Sequence, residues 1–120
     1  MNSHAAAARE LFGVNRDVVD CVINNTHTPL LSEKMKALLN IAGKVQISGK
    51  LVTEEDVAEA RKHGAIDRDI HDPVLIAATF SMFNRYVDGL ASTTPTDPAE
   101  YLSMGKRMTQ LGYLMPKIEN

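Results

Sequence analysis

Val74-Leu75-Ile76-Ala77-Ala78-Thr79-Phe80-Ser81-Met82-Phe83-Asn84-Arg85-Tyr86-Val87-Asp88-Gly89-Leu90 is apolar on almost every side of a helix. A helix hydrophobic all round belongs in the middle of a bundle, so this run predicts an all-α fold with the segment at its centre. Asn84, Arg85 and Asp88 interrupt it, which excludes a membrane span. Just before it, Asp72-Pro73 places a capping aspartate ahead of a proline at the first helical position. Asp67 is then expected to open only a single separate turn.

Working outward, Thr53 followed by Glu54, Glu55 and Asp56 sets a capping hydroxyl before acids in a first turn. Arg61-Lys62-His63-Gly64 is the matching end, with bases in the last turn and glycine beyond. Ser32 caps a longer amphipathic helix in which Met35, Leu38, Leu39, Ala42 and Val45 share a face, leaving Lys34, Lys36 and Lys44 to water. Asn24 to Pro29 reads as a loop. Upstream of it, Asn15 caps a segment with Val18, Val19, Val22 and Ile23 at helical spacing, for which a strand is the alternative. Ser3 caps an Ala-rich helix through Phe12, ended by Gly13. Downstream, Asp97-Pro98-Ala99-Glu100 opens a last helix that Gly112 closes. The expectation is five or six helices in one domain.

Composition narrows the function classes. In 120 residues, 44% apolar content suffices for a core, and thirteen Lys and Arg against fifteen Asp and Glu leave a net charge of −2. With no basic segment and few aromatics, a nucleic-acid partner is excluded. His4, Arg9 and Glu10 break the first apolar run, so no signal peptide is read. A single cysteine forms no intramolecular disulfide, and a soluble cytoplasmic protein is expected.

Few residues carry chemistry. His4, His27, His63 and His71 share no metal-ligand spacing and read as surface or capping residues, so no metal or cofactor is expected. Cys21 reads as a small structural apolar residue, because Asp17 and Asp20 oppose a thiolate. Asn84 and Arg85 lie in the most apolar helix. Arg85 is therefore expected to be a buried, paired clamp, with substrate binding as the alternative.

The stretch His71-Asp72-Pro73-Val74-Leu75-Ile76-Ala77-Ala78, running on through Phe83-Asn84-Arg85-Tyr86-Val87-Asp88-Gly89-Leu90, resembles the final core helix of alkylhydroperoxidase D-like proteins. These belong to the carboxymuconolactone decarboxylase family. The Leu38-Leu39 helix, Val52-Thr53-Glu54-Glu55-Asp56-Val57 and Gly64-Ala65-Ile66-Asp67 follow in the same order. Ser3-His4 with Ala7, Ala8 and Arg9 is similar to the active-site helix, so the resemblance covers most of residues 3 to 91. It implies a five- to six-helix bundle of the alkylhydroperoxidase D-like type as one domain, residues 1–120. It also implies an antioxidant, peroxidase-related oxidoreductase that assembles as a homo-oligomer of two, three or six chains, with a thiol reductant protein as partner in complete members.

Peroxidase members carry Cys-x-x-Cys-x-x-x-His. His4 takes the histidine, as a proton-relay position, and the second cysteine then falls immediately before Met1. The chain is accordingly expected to be N-terminally truncated relative to the family and inactive as it stands. Two alternatives remain: a cofactor-free carboxymuconolactone decarboxylase-like enzyme with His4 as base, and a non-catalytic helical oligomerisation module.

Overall fold

Ser32, Thr53 and Asp97 cap helices where the sequence places them. The computed structural model describes residues 2–26 and 28–114. Among these, six α-helices occur: α1 (Asn2–Phe12), α2 (Asp17–Ile23), α3 (Glu33–Ile47), α4 (Glu54–Lys62), α5 (Asp67–Gly89) and α6 (Pro98–Leu111). No strand is found among the described residues, so the all-α expectation holds. Ser32 Oγ accepts from Met35 N at 3.1 Å at the start of α3. Asp97 Oδ1 accepts from Ala99 N at 2.9 Å at the start of α6. Gly13, Gly64 and Gly112 all have positive φ at helix ends, the backbone region that favours glycine.

The elements fall into two compact units. One comprises residues 29–92 and holds α3, α4 and α5. Its core is Leu38, Ile41, Ala60 and Ala65, with Val45, Val52, Ile70 and Val74 packed on it. Ile41 is fully buried while Met35 is exposed, so the buried face of α3 is rotated from the expected Met35–Leu39 line toward Ile41. The lysines of α3 are not left to water alone. Lys34 pairs with Asp69 at 2.5 Å and Lys44 with Asp56 at 2.6 Å.

Asp56 joins several roles at one carboxylate. It accepts from Thr53 N at 2.8 Å and from Asn40 Nδ2 at 2.9 Å, while Thr53 Oγ1 accepts from Asp56 N at 3.3 Å. The Thr53 capping box is thereby tied to α3. The Lys44 ammonium first, then the Thr53 N–H, lower the Asp56 pKa to about 2.

Two expectations for α5 are corrected. Asp67 does not open a separate turn, since one helix of 23 residues runs through Pro73. Proline lacks an N–H and costs an interior helical bond. Asp69, four residues earlier, supports the first turn instead, accepting from Ile66 N at 3.0 Å. Nor is the run from Val74 buried all round. No residue of α5 is fully buried, because its packed face, at Ile70 and Val74, meets the core along one side only.

The other unit comprises residues 1–28 and 93–120, so both ends of the chain contribute to it. Its central contact is between α1 and α6. Ala6 and Ala7 of α1 are buried, and Gly105 of α6 is buried opposite them. A Cβ on Gly105 would lie 2.7 Å from the Ala6 carbonyl carbon, so the crossing depends on glycine. Arg9 of α1 bonds Asp20 of α2 through Nε at 3.1 Å and Nη2 at 2.5 Å. The segment with β-branched residues is helical, with Val18 and Val19 buried. Its start differs from expectation. Asn15 closes a 3-10 turn over Gly13–Asn15, and α2 begins after Arg16 without a side-chain cap. Ser3 likewise lies inside α1 rather than capping it.

Candidate functional site

The close α1–α6 crossing fixes the first turn of α1 relative to the residues that leave α6. Gly112, with φ of 62°, bonds back to the Met108 carbonyl and turns the chain out of the helix. Tyr113 follows, and its hydroxyl lies 2.9 Å from His4 Nε2. The two rings are tilted by 40° with centroids 6.0 Å apart. Ser3 Oγ lies 3.4 Å from His4 Nδ1. Both imidazole nitrogens therefore face a hydroxyl, which can donate to one nitrogen and accept from the other.

His4 is half-buried, and burial pushes its pKa below the ordinary value. Desolvation penalises the charged imidazolium, so at neutral pH the ring is chiefly neutral, and a neutral imidazole carries one nitrogen able to accept a proton. A neutral imidazole beside a phenol is an arrangement suited to general acid–base chemistry.

A cleft of about 500 Å³ opens in the same unit, lined by Asn2, Ala6, Arg9, Thr96, Tyr101 and Leu102 among others. His4 is not among its lining residues. Arg9 reaches this cleft with its charge already held by Asp20, and Tyr101 Oη donates to the Pro95 carbonyl at 2.5 Å.

The remaining candidates are dispersed. Asn84 and Arg85 are exposed, and among the described residues neither makes a side-chain hydrogen bond or ion pair. The buried clamp is thus corrected: Arg85 lies exposed, beyond the part of α5 that packs on the core through Ile70 and Val74. His63 bonds Glu59 at 2.8 Å and His71 lies 3.2 Å from Asp72, both pairs at the surface as expected. His27 lies outside the described residues. Cys21 is half-buried in α2. Among the described residues no group of three or more His, Cys, Asp or Glu is placed to hold a metal. No described helix is long and apolar enough to cross a membrane.

Tyr113 and the Arg9–Asp20 pair were not singled out from sequence. His4 and Tyr113 are 109 residues apart, and no local pattern links positions so distant. Comparison with protein-family models, curated proteins and solved structures returns no match to this chain.

Proposed function

We propose that this chain derives from the alkylhydroperoxidase D-like group of the carboxymuconolactone decarboxylase family, and that its His4 occupies the family's proton-relay position. The observation that carries the reading is the run from His71 to Leu90, preceded in family order by the Thr53 cap and the Gly64 turn. The half-buried neutral imidazole of His4 supports it, since a relay histidine must accept a proton near pH 7.

In a complete member, a thiolate attacks the peroxide, releasing an alcohol and becoming a sulfenic acid. A second thiol then displaces water from that sulfur to close a disulfide, and an external dithiol reduces it. The histidine takes the proton of the attacking thiol and returns one to the leaving oxygen. With Cys21 as their single cysteine, the 120 residues close no such disulfide within one chain. The reading makes this a self-associating cytoplasmic protein.

The test extends the chain with Cys-x-x-Cys directly before residue 1. Peroxide-dependent consumption of a dithiol is expected from the extended chain only, and is lost in His4→Ala. An inactive extended chain with undiminished helix content refutes the reading.

A second reading rests on the His4–Tyr113 contact. It is a metal-free acid–base site of the lactone decarboxylase kind, with His4 as base and the Tyr113 hydroxyl as its hydrogen-bond partner. Turnover of an unsaturated lactone by the unextended chain, lost in both His4→Ala and Tyr113→Phe, would select it.

A further inference from the structure

The exposed side of α5 is ordered rather than scattered. Leu75, Ile76, Met82, Phe83, Tyr86 and Leu90 are 52–67% exposed. At 3.6 residues per turn they fall within an arc of about 120°, opposite Ile70 and Val74, and extend along about 22 Å of helix. Within that arc Ile76, Thr79, Phe83, Tyr86 and Leu90 are spaced three, four, three and four residues apart. This is the a/d spacing of a coiled-coil seam. The polar member does not spoil it, because Thr79 Oγ1 donates to the Leu75 carbonyl at 2.7 Å.

We propose that this stripe is a docking surface for a second copy of the same chain, with two α5 helices packed antiparallel about a two-fold axis at Phe83. The proposal rests on the self-association that the family reading implies, while the stripe that locates it is read from α5 alone. Three observations select a second copy. No charged residue lies within the arc from Leu75 to Leu90, and the first charges along that line, Arg68 and Asp72, pair with each other. The stripe thus offers a partner no charge to complement.

Its area also suits a dimer. Taking roughly 200 Å² for a large side chain, the exposed fractions of these six residues amount to about 700 Å². A stable dimer takes about 800 Å² from each partner, and exposed Ala78 and Gly89 border the stripe.

The third observation is the order of sizes, which favours antiparallel over parallel packing. Around Phe83, Ile76 would face Leu90 and small Thr79 would face large Tyr86, keeping the helix separation even. Parallel packing would set Thr79 against Thr79 and Tyr86 against Tyr86, leaving a gap and a clash. Antiparallel helices also set their dipoles favourably.

Sedimentation at micromolar concentration should give twice the 13.2 kDa of one chain. Phe83→Glu should give the mass of one chain with unchanged helical circular dichroism, since Phe83 is exposed within its own chain. In a Cys21→Ser background, oxidised Phe83→Cys should cross-link to itself. Ile76→Cys should not, but should cross-link when mixed with Leu90→Cys. A single-chain mass for the unaltered protein overturns both the self-association and this surface. An oligomer indifferent to Phe83→Glu overturns the surface alone. Efficient self-linking of Ile76→Cys overturns the antiparallel arrangement.

Discussion

Replacing Gly105 with alanine should destabilise the protein although alanine is the better helix former. The added Cβ would lie 2.7 Å from the Ala6 carbonyl carbon and 2.9 Å from both Ala6 Cβ and Ala7 N. Two of these neighbours are backbone atoms of a helix and cannot swing aside. Restoring carbon contacts of about 3.5–4.0 Å requires α1 and α6 to part by roughly an ångström, loosening the contacts of buried Ala6 and Ala7. Overpacking of this kind costs about 1–3 kcal/mol.

The helix-propensity gain is removed by comparison with Gly43→Ala. Gly43 is also mid-helix, in α3, and its added Cβ would meet nothing within 4 Å. That change should stabilise by about 0.4–1 kcal/mol. The difference between the two variants isolates the crossing. At roughly 4 °C per kcal/mol for a chain near this size, Gly105→Ala should melt about 4–12 °C below Gly43→Ala. Thermal unfolding followed by circular dichroism reads the difference. Equal melting temperatures for the two variants would show that α1 and α6 do not approach closely, and the account of that unit would fall.

Other outcomes follow from single groups. Thr53→Ala removes the acceptor for Asp56 N and should cost about 1 kcal/mol in urea unfolding. Because the Asp56 pKa is depressed to about 2, its ion pair stabilises the fold above the ordinary carboxylate value near 3.8, and the contribution is lost as pH falls toward 2. Asp56→Asn should flatten that part of the acid-unfolding curve, and an unchanged curve would count against the Lys44 pairing. His4 should titrate below its ordinary 6.5 in an NMR titration, and Tyr113→Phe, by opening Nε2 to water, should move it upward. Since the folded value is the lower one, His4 stabilises the fold above pH 6.5 and loses that contribution as pH falls. Arg85→Ala should change stability by no more than about 0.5 kcal/mol, as for exposed positions generally. A large loss would restore the clamp.

Helix ends were legible because their causes are local. Ser32, Thr53 and Asp97 each act on an N–H two or three residues away, and Gly13, Gly64 and Gly112 act through their own φ. Burial was legible less well. Apolar content around α5 indicates that something covers it, but not whether that cover comes from within one chain. Pro73 misled because proline starts helices more often than it interrupts them, yet here it falls seven residues into α5. Of the site, His4 came from resemblance. Its partner Tyr113 depends on the α1–α6 crossing, which pairs residues some hundred positions apart.

The crossing also bears on how the protein is made. α1 leaves the ribosome before the other five described helices, and its partner α6 is about 90 residues further on, which at 5–20 residues per second is roughly 5–18 s of synthesis. An isolated 11-residue helix is marginal in water even when rich in alanine. Through that interval the nascent α1, with Leu11 and Phe12 at its end, lacks the surface that later holds it. Residues 29–92 are contiguous and their core contacts are local, so that unit can close while α6 is still being added. Of the six described helices, the one synthesised ahead of the rest is therefore among the last to be secured, and the interval is the chain's window for capture by chaperones or proteases.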